Sequence, residues 1–287
     1  MKPMGTRFLI QHQPGQPGQL PFMLALPEDA GAHTPLLVSV HGVTRKPLDH
    51  ARAFLRPALA AGLALLVPLF SVERHRRYQQ LVHPRSGRRA DQALIDTVAG
   101  VREQHGLGCH ALYLFGYSAG AQFAHRFAMA HPQHVAALGL GAPGWYTWPD
   151  AALPYPLGWA GMAPSLGLPA LDTTAFLALP KRVWVGARDN GPDAALRSSP
   201  ALDRLQGAHR LERAQRWAQA VTAAAQWQQL NQPVQVHTLP RAGHDFAECN
   251  RRGGLAQQVV DFFTRPPRPR PCAPEAARGC SHLALAP

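Results

Sequence analysis

Residues 111–130 read A-L-Y-L-F-G-Y-S-A-G-A-Q-F-A-H-R-F-A-M-A. The first five are apolar and predict a buried strand, and the last ten predict a helix. Between them lies a G-x-S-x-G motif, which predicts a sharp turn from strand to helix with Ser118 at its apex. Such a turn leaves the serine hydroxyl at the helix N-terminus, where backbone N–H groups favour developing negative charge. The motif indicates a serine nucleophile.

A carboxylate is expected after a later strand. Residues 181–187 predict a buried strand that ends in a turn-forming cluster, and Asp189 lies in that cluster. Ligand chemistry collects at the carboxyl ends of strands in open α/β sheets, so Asp189 is the first candidate for the acid. Asp193, slightly deeper in the loop, is the alternative, and either aspartate could instead cap a turn.

A histidine base is expected after the next strand. Residues 234–239 alternate in polarity and predict a strand, and His244 follows it directly after a glycine. Three other histidines fit less well, because His237 lies inside the strand, His209 lies in a helical region and His282 lies near the end of the chain. His244 is therefore the predicted base.

Serine, histidine and aspartate together can carry out nucleophilic catalysis. A serine hydroxyl needs a base to take its proton, imidazole titrates near neutral pH, and a carboxylate fixes the imidazole tautomer. The oxyanion of the reaction needs two N–H donors. One is predicted to be the amide of Ala119, and the other the amide of Val43, in the His41-Gly42 loop after the strand at residues 35–40.

The sequence resembles the α/β-hydrolase superfamily over roughly residues 7–265. The resemblance rests on His41-Gly42, the G-x-S-x-G motif at 116–120, the stretch 186–189 and Gly243-His244. Within the superfamily the chain looks most like bacterial esterases and poly(3-hydroxybutyrate) depolymerase-like proteins. The resemblance implies an α/β-hydrolase fold with a mostly parallel sheet of eight strands, helices on both faces, and ester hydrolysis through an acyl-enzyme.

The segment 144–180 differs from the rest of the chain in composition, with several aromatic residues among many prolines and glycines. It lies where the superfamily inserts a lid or cap, so we expect a lid-like insertion there. Aromatic side chains near the serine suggest an apolar substrate pocket, although they could equally pack the loop onto the sheet. The candidate pocket residues are Tyr117, Trp145, Tyr146 and Trp148. The nearby G-x-G-x-x-G at 139–144 opens no helix and is not taken as a nucleotide site.

Length and composition favour a single α/β domain over residues 1–264 and a disordered tail, rich in proline and arginine, over 265–287. The N-terminus lacks the apolar core of a secretory signal, no stretch resembles a membrane span, and the four cysteines form no paired motif, so we expect a cytoplasmic protein with reduced thiols. The net charge of +12 comes almost wholly from arginine and is interpreted as solvated surface charge, without a nucleic-acid partner.

The function predicted from these residues is hydrolysis of a carboxylic ester of small or medium size, with no cofactor and no metal. A peptidase or an acyltransferase with the same triad remains open, since the sequence does not distinguish the leaving group or the acceptor. A non-catalytic binding protein on a hydrolase scaffold is the third alternative.

Overall fold

The structure is a computed structural model that describes residues 11–16, 18–108, 111–191 and 193–265. Its strands form one sheet in the order β1-β2-β4-β3-β5-β6-β7-β8. The pairs β1–β2 and β2–β4 are antiparallel, and every pair of neighbours from β4 to β8 in this order is parallel. The predicted α/β class with a mostly parallel sheet is confirmed. The strands are β1 (Gln11–Gln13), β2 (Phe22–Ala25), β3 (Leu36–Val40), β4 (Ala64–Pro68), β5 (Leu112–Tyr117), β6 (Val135–Gly141), β7 (Lys181–Gly186) and β8 (Gln235–Leu239).

Helices connect the strands and cover the sheet. Every residue of β3, β4 and β5 is buried, as expected for central parallel strands covered on both faces. The helices are α1 (Pro47–Ala60), α2 (Val72–His75), α3 (Ala90–His105), α4 (Ala119–Ala130), α5 (Met162–Ser165), α6 (Thr173–Ala178), α7 (Pro200–Gln206), α8 (Arg210–Trp227), α9 (Phe246–Gly253) and α10 (Leu255–Thr264).

Adjacent residues of β5 show how the two layers form. The ring of Phe115 lies 5.1 Å from that of Phe54 on α1. Gly116, the next residue, faces the carbonyl of Gly120 on α4. Successive side chains of a strand point to opposite faces, so α1 and α4 cover opposite faces of the sheet. The parallel strands then bring the loops that follow them to one edge, where the predicted site residues lie.

Glycines separate two pairs of neighbouring helices. The segment 201–230 forms α7 and α8, because Gly207 adopts φ 108° and His209 caps the second helix by accepting the N–H of Glu212 at Nδ1. The segment 250–264 is likewise shared between α9 and α10, with Gly254 at φ 61° between them.

The predicted lid segment, 144–180, contains α5 and α6. No helix within the described ranges combines the length and the apolar character needed to cross a bilayer. The predicted tail, from residue 266 onward, and Cys109, Cys272 and Cys280 lie outside the described residues. Cys249 is buried and has a free thiol.

Candidate active site

Ser118 lies at the turn between β5 and α4 with φ 53° and ψ −112°, a conformation that is unusual for a residue with a side chain. The flanking glycines make this turn possible. A Cβ on Gly116 would lie 2.1 Å from the carbonyl oxygen of Gly120, and one on Gly120 would lie 2.2 Å from the carbonyl oxygen of Val40. No side chain fits at either position, which explains the glycines of the motif.

The predicted nucleophile, base and acid form one hydrogen-bonded chain. Nε2 of His244 lies 3.1 Å from Oγ of Ser118, and Nδ1 of His244 lies 2.9 Å from Oδ2 of Asp189. Asp189 is buried, whereas the His244 side chain is 28% exposed and Ser118 is half-buried, so the serine and the imidazole are accessible to a ligand. In this arrangement Nε2 of His244 can accept the proton of Ser118, while the carboxylate of Asp189 holds the imidazole ring in place.

The second aspartate of this loop has other partners. The carboxylate of Asp193 accepts hydrogen bonds from the N–H of Ala195 and from the guanidinium of Arg210. These interactions, the backbone hydrogen bond first, hold the pKa of Asp193 below its usual value. Asp193 makes no hydrogen bond to His244 within the described residues. Of the two candidates left open by the sequence, the structure brings Asp189 to the histidine.

Arg210, at the start of α8, was not singled out from the sequence. Its Nη1 lies 3.1 Å from Oδ1 of Asp189, the carboxylate oxygen that does not face His244. Both side chains are almost fully buried. Charge-assisted hydrogen bonds of this kind are among the stronger polar interactions in proteins, so Arg210 fixes the orientation of the carboxylate.

Tyr117 anchors the loop that carries His244. Its hydroxyl donates to the backbone carbonyl of His244 at 2.9 Å and lies 3.3 Å from Sγ of Cys249. The loop is fixed further by Glu248, whose carboxylate accepts the N–H of Gly243. Burial, first among several causes, raises the pKa of Tyr117 well above its ordinary value, so its hydroxyl remains a donor.

The loop after β3 lies against the serine, as the predicted oxyanion donor requires. A Cβ on Gly42 would lie 3.5 Å from Cβ of Ser118. The carbonyl of Gly42 accepts hydrogen bonds from Nδ1 of His41 at 2.8 Å and from the N–H of Arg45 at 3.1 Å. In a trans peptide the N–H of Val43 must then point the opposite way, away from both of these donors.

His41 can hold this peptide because it is buried and neutral. Its Nε2 accepts the N–H of Phe70, so the ring proton resides on Nδ1, where it meets the Gly42 carbonyl. Burial, opposed only in part by its hydrogen bonds, lowers the pKa of His41 to about 4. The hydroxyl of Tyr78 donates to the carbonyl of His41 at 2.6 Å and anchors the same loop.

The two predicted oxyanion donors are free to bind a ligand atom. Ala119 is the first residue of α4, so its N–H has no acceptor in the preceding turn of helix. Neither this amide nor that of Val43 has a hydrogen-bond acceptor among the described residues. The Val43 side chain is 61% exposed, so this loop borders solvent.

Three of the four predicted pocket side chains are buried. Tyr117 is 4% exposed, Trp145 is 5% exposed and Tyr146 has no exposed surface, so these side chains pack mainly against the protein itself. Tyr146 stacks on Trp217 with ring centroids 4.7 Å apart. Trp148 alone of the four candidates is only half-buried. Aromatic density in this segment reflects core packing, the alternative that the composition left open.

Two guanidinium groups lie close to the ring of Trp145. Those of Arg126 and Arg197 lie 4.2 Å and 4.8 Å from its ring centroid, and that of Arg126 is itself fully buried.

No cluster of three or more His, Cys, Asp and Glu side chains within the described residues is placed to hold a metal ion.

Solved structures share this fold. The chain is 27% identical to LpqC, a poly(3-hydroxybutyrate) depolymerase from Bordetella parapertussis, with a TM-score of 0.70 over 91% of this chain and 90% of that one. It is 22% identical to poly(aspartic acid) hydrolase-1 from Sphingomonas sp. KT-1, with a TM-score of 0.71 over 84% of this chain and 93% of that one.

A third structure, the S-formylglutathione hydrolase of Agrobacterium tumefaciens, is 13% identical, with a TM-score of 0.53 over 88% of this chain and 94% of that one. No protein-family model matches the sequence, and a comparison with curated proteins finds no match. The sheet order, the serine turn and these structures agree: the chain has the α/β-hydrolase fold.

Proposed function

We propose that this protein is a serine hydrolase that cleaves a carboxylic ester. The observation that carries the proposal is the continuous chain of hydrogen bonds from Ser118 through His244 to Asp189, at a strained turn beside the Gly42 loop. The likeness to LpqC, a poly(3-hydroxybutyrate) depolymerase, supports an ester as the substrate.

The reaction follows from the positions of the atoms. Nε2 of His244 takes the proton of Ser118 as Oγ attacks the ester carbonyl, and the amides of Val43 and Ala119 donate to the resulting oxyanion. The intermediate expels the alcohol, which takes the proton from His244 and leaves an acyl group on Ser118. Water, deprotonated by the same histidine, then releases the acid.

The experiment is labelling with a fluorophosphonate probe, followed by hydrolysis of 4-nitrophenyl esters of increasing acyl length. Ser118→Ala is expected to abolish both labelling and turnover with the fold intact. Ser39→Ala is the matched control, because Ser39 also contacts a histidine, with Oγ 2.8 Å from Nδ1 of His50, but is fully buried. Full labelling of the Ser118→Ala protein would refute the assignment.

Two alternatives use the same residues. A peptidase would require His244 to protonate an amine, and an acyltransferase would admit an acceptor other than water. A non-catalytic binding protein would show no labelling at all. Comparison of an ester with the matching amide, with and without added alcohol acceptors, distinguishes these alternatives.

A further inference from the structure

Positive charge is concentrated in one connection of the sheet, between β4 and α3. Residues 71–89 contain six arginines and one acidic residue, Glu73. These nineteen residues supply +5 of the net charge of +12 for the whole chain. Composition alone predicts solvated surface charge and does not locate this cluster.

The topology brings the arginine-rich connection next to the candidate active site. β4 pairs parallel with β3, so the loops that follow the two strands leave the sheet at the same edge. Arg45, in the loop after β3, joins the two loops. Its side chain donates to the carbonyls of Val43 at 2.9 Å, Phe70 at 2.8 Å and Arg76 at 3.2 Å.

The arginines form a surface that we call the basic rim. Its exposed members are Arg74, Arg76, Arg77, Arg85 and Arg88, and Arg45 is half-buried. None of these six rim arginines has a carboxylate within 4.0 Å in the described part of the chain. The remaining arginine of the connection, Arg89, pairs with Asp91, and four arginines later in the chain also pair with carboxylates. Burial first, and then the charges of Arg88 and Arg74, lower the pKa of His75 to about 4.

We propose that the basic rim binds a negatively charged group of the substrate. The preferred ester then carries a carboxylate on the part that extends past Val43 from the ester carbonyl, which lies at Ser118. This inference rests on the proposed function and names the substrate class for the same site. Exposed arginines without carboxylate partners attract an anion without first breaking an ion pair, and guanidinium groups match carboxylate geometry. Clustered charge beside a site also raises the rate at which an oppositely charged substrate arrives.

The test compares the 4-nitrophenyl monoester of glutarate with 4-nitrophenyl valerate, which has the same acyl length without the carboxylate. The wild-type kcat/KM is expected to be higher for the anionic ester at about 20 mM salt, and the preference should shrink toward about 500 mM salt as the charges are screened. In the Arg76→Glu, Arg77→Glu double variant, the ratio of kcat/KM for the anionic ester to that for the neutral ester should fall by at least about tenfold.

The matched control is the Arg52→Glu, Arg56→Glu double variant, which makes the same charge change at exposed positions of α1. It should leave the ratio within about twofold of wild type, since a change in net charge alone is screened over distance. An equal fall in both double variants would attribute the effect to net charge and overturn the proposal. So would a wild-type enzyme without preference for the anionic ester.

Citrate binding, followed by calorimetry on the Ser118→Ala protein, gives a second measurement that needs no turnover. Citrate binding that weakens with salt and is lost in the Arg76→Glu, Arg77→Glu background supports the rim even if neither ester is cleaved. That combination would reject the proposed ester hydrolysis and keep the anion site. Absence of citrate binding, or binding that the double variant does not change, rejects the rim independently of catalysis.

Discussion

Arg210 and Asp189 form an almost completely buried ion pair, with Nη1 of the arginine 3.1 Å from Oδ1 of the aspartate. The other oxygen of the same carboxylate faces His244. Asp193 contacts the same Nη1 of Arg210 through its own carboxylate. One arginine therefore links the two aspartates that the sequence offered as alternatives, and it leaves only Asp189 in contact with the histidine.

We predict that Arg210→Met lowers kcat by about 10- to 100-fold, which corresponds to a charged hydrogen bond of about 1.5–3 kcal/mol. The reason is that Asp189 would lose the contact that orients it toward His244. Arg213→Met is the control, because Arg213 is also buried on α8 but pairs with Asp203. Steady-state kinetics and thermal melting are measured for both variants. A rise in KM at unchanged kcat, or equal kinetic losses in both variants, would contradict a positioning role.

Exchange of each aspartate for asparagine distinguishes their roles. Asp189→Asn should lower kcat by about 10⁴-fold, as when the acid of a triad is lost, because the amide no longer stabilises the charged imidazole. Asp193→Asn keeps the Arg210–Asp189 pair, so we expect a loss below about tenfold. Both are measured with the same 4-nitrophenyl ester. A severe defect in Asp193→Asn with a mild one in Asp189→Asn would reverse the assignment.

The aromatic segment yields opposite expectations for two of its residues. Tyr146→Ala should lower the free energy of unfolding by about 3–5 kcal/mol, because it removes a buried ring that stacks on Trp217. The preference among ester chain lengths should not change in the protein that remains folded. Trp148→Ala, at the half-buried position, should instead shift that preference at a smaller cost in stability. Denaturant unfolding and an ester series measure the two effects, and a specificity change confined to Tyr146→Ala would refute this division.

Much of the fold could be predicted because its strands are short apolar runs closed by turn-forming residues. The apolar run at 111–115 followed by the G-x-S-x-G motif predicted the strand and the turn, and in the structure no larger residue fits at 116 or 120. The divisions at Gly207 and Gly254 could not be predicted in the same way. A glycine inside a helical pattern is often tolerated, and only tertiary packing decides whether the helix ends there.

Of the site, the sequence predicted the residues that lie just after strands, because parallel strands bring those positions to one edge. Ser118, Asp189 and His244 are of this kind, and the structure places them in contact. Arg210 opens a helix 21 residues after Asp189, and no local pattern distinguishes it from other helical arginines. Tyr117 was assigned to the pocket because aromatic content does not report which way a side chain points.

The stability of this protein should fall as the pH drops below about 6.5. His41 and His125 are both buried, and in each ring Nδ1 donates to a carbonyl while Nε2 accepts a backbone N–H, from Phe70 and Thr147 respectively. A proton on Nε2 would face that N–H. Burial is the largest cause that lowers the two pKa values, to about 4 for His41 and well below the ordinary value for His125.

The sign follows from proton uptake. An unfolded histidine binds a proton near pH 6.5, whereas folded His41 binds one only near pH 4, so the unfolded chain holds more protons between these values. The His41 contribution is complete above pH 6.5, and about 3 kcal/mol of it is lost on acidification to pH 4. His41→Gln should reduce the slope of the free energy of unfolding between pH 6 and pH 4.5 by up to about 1.4 kcal/mol per pH unit. Urea unfolding at several pH values measures it, with His33→Gln, at an exposed position, as the control. Equal slopes for wild type and His41→Gln would show that His41 is not held neutral.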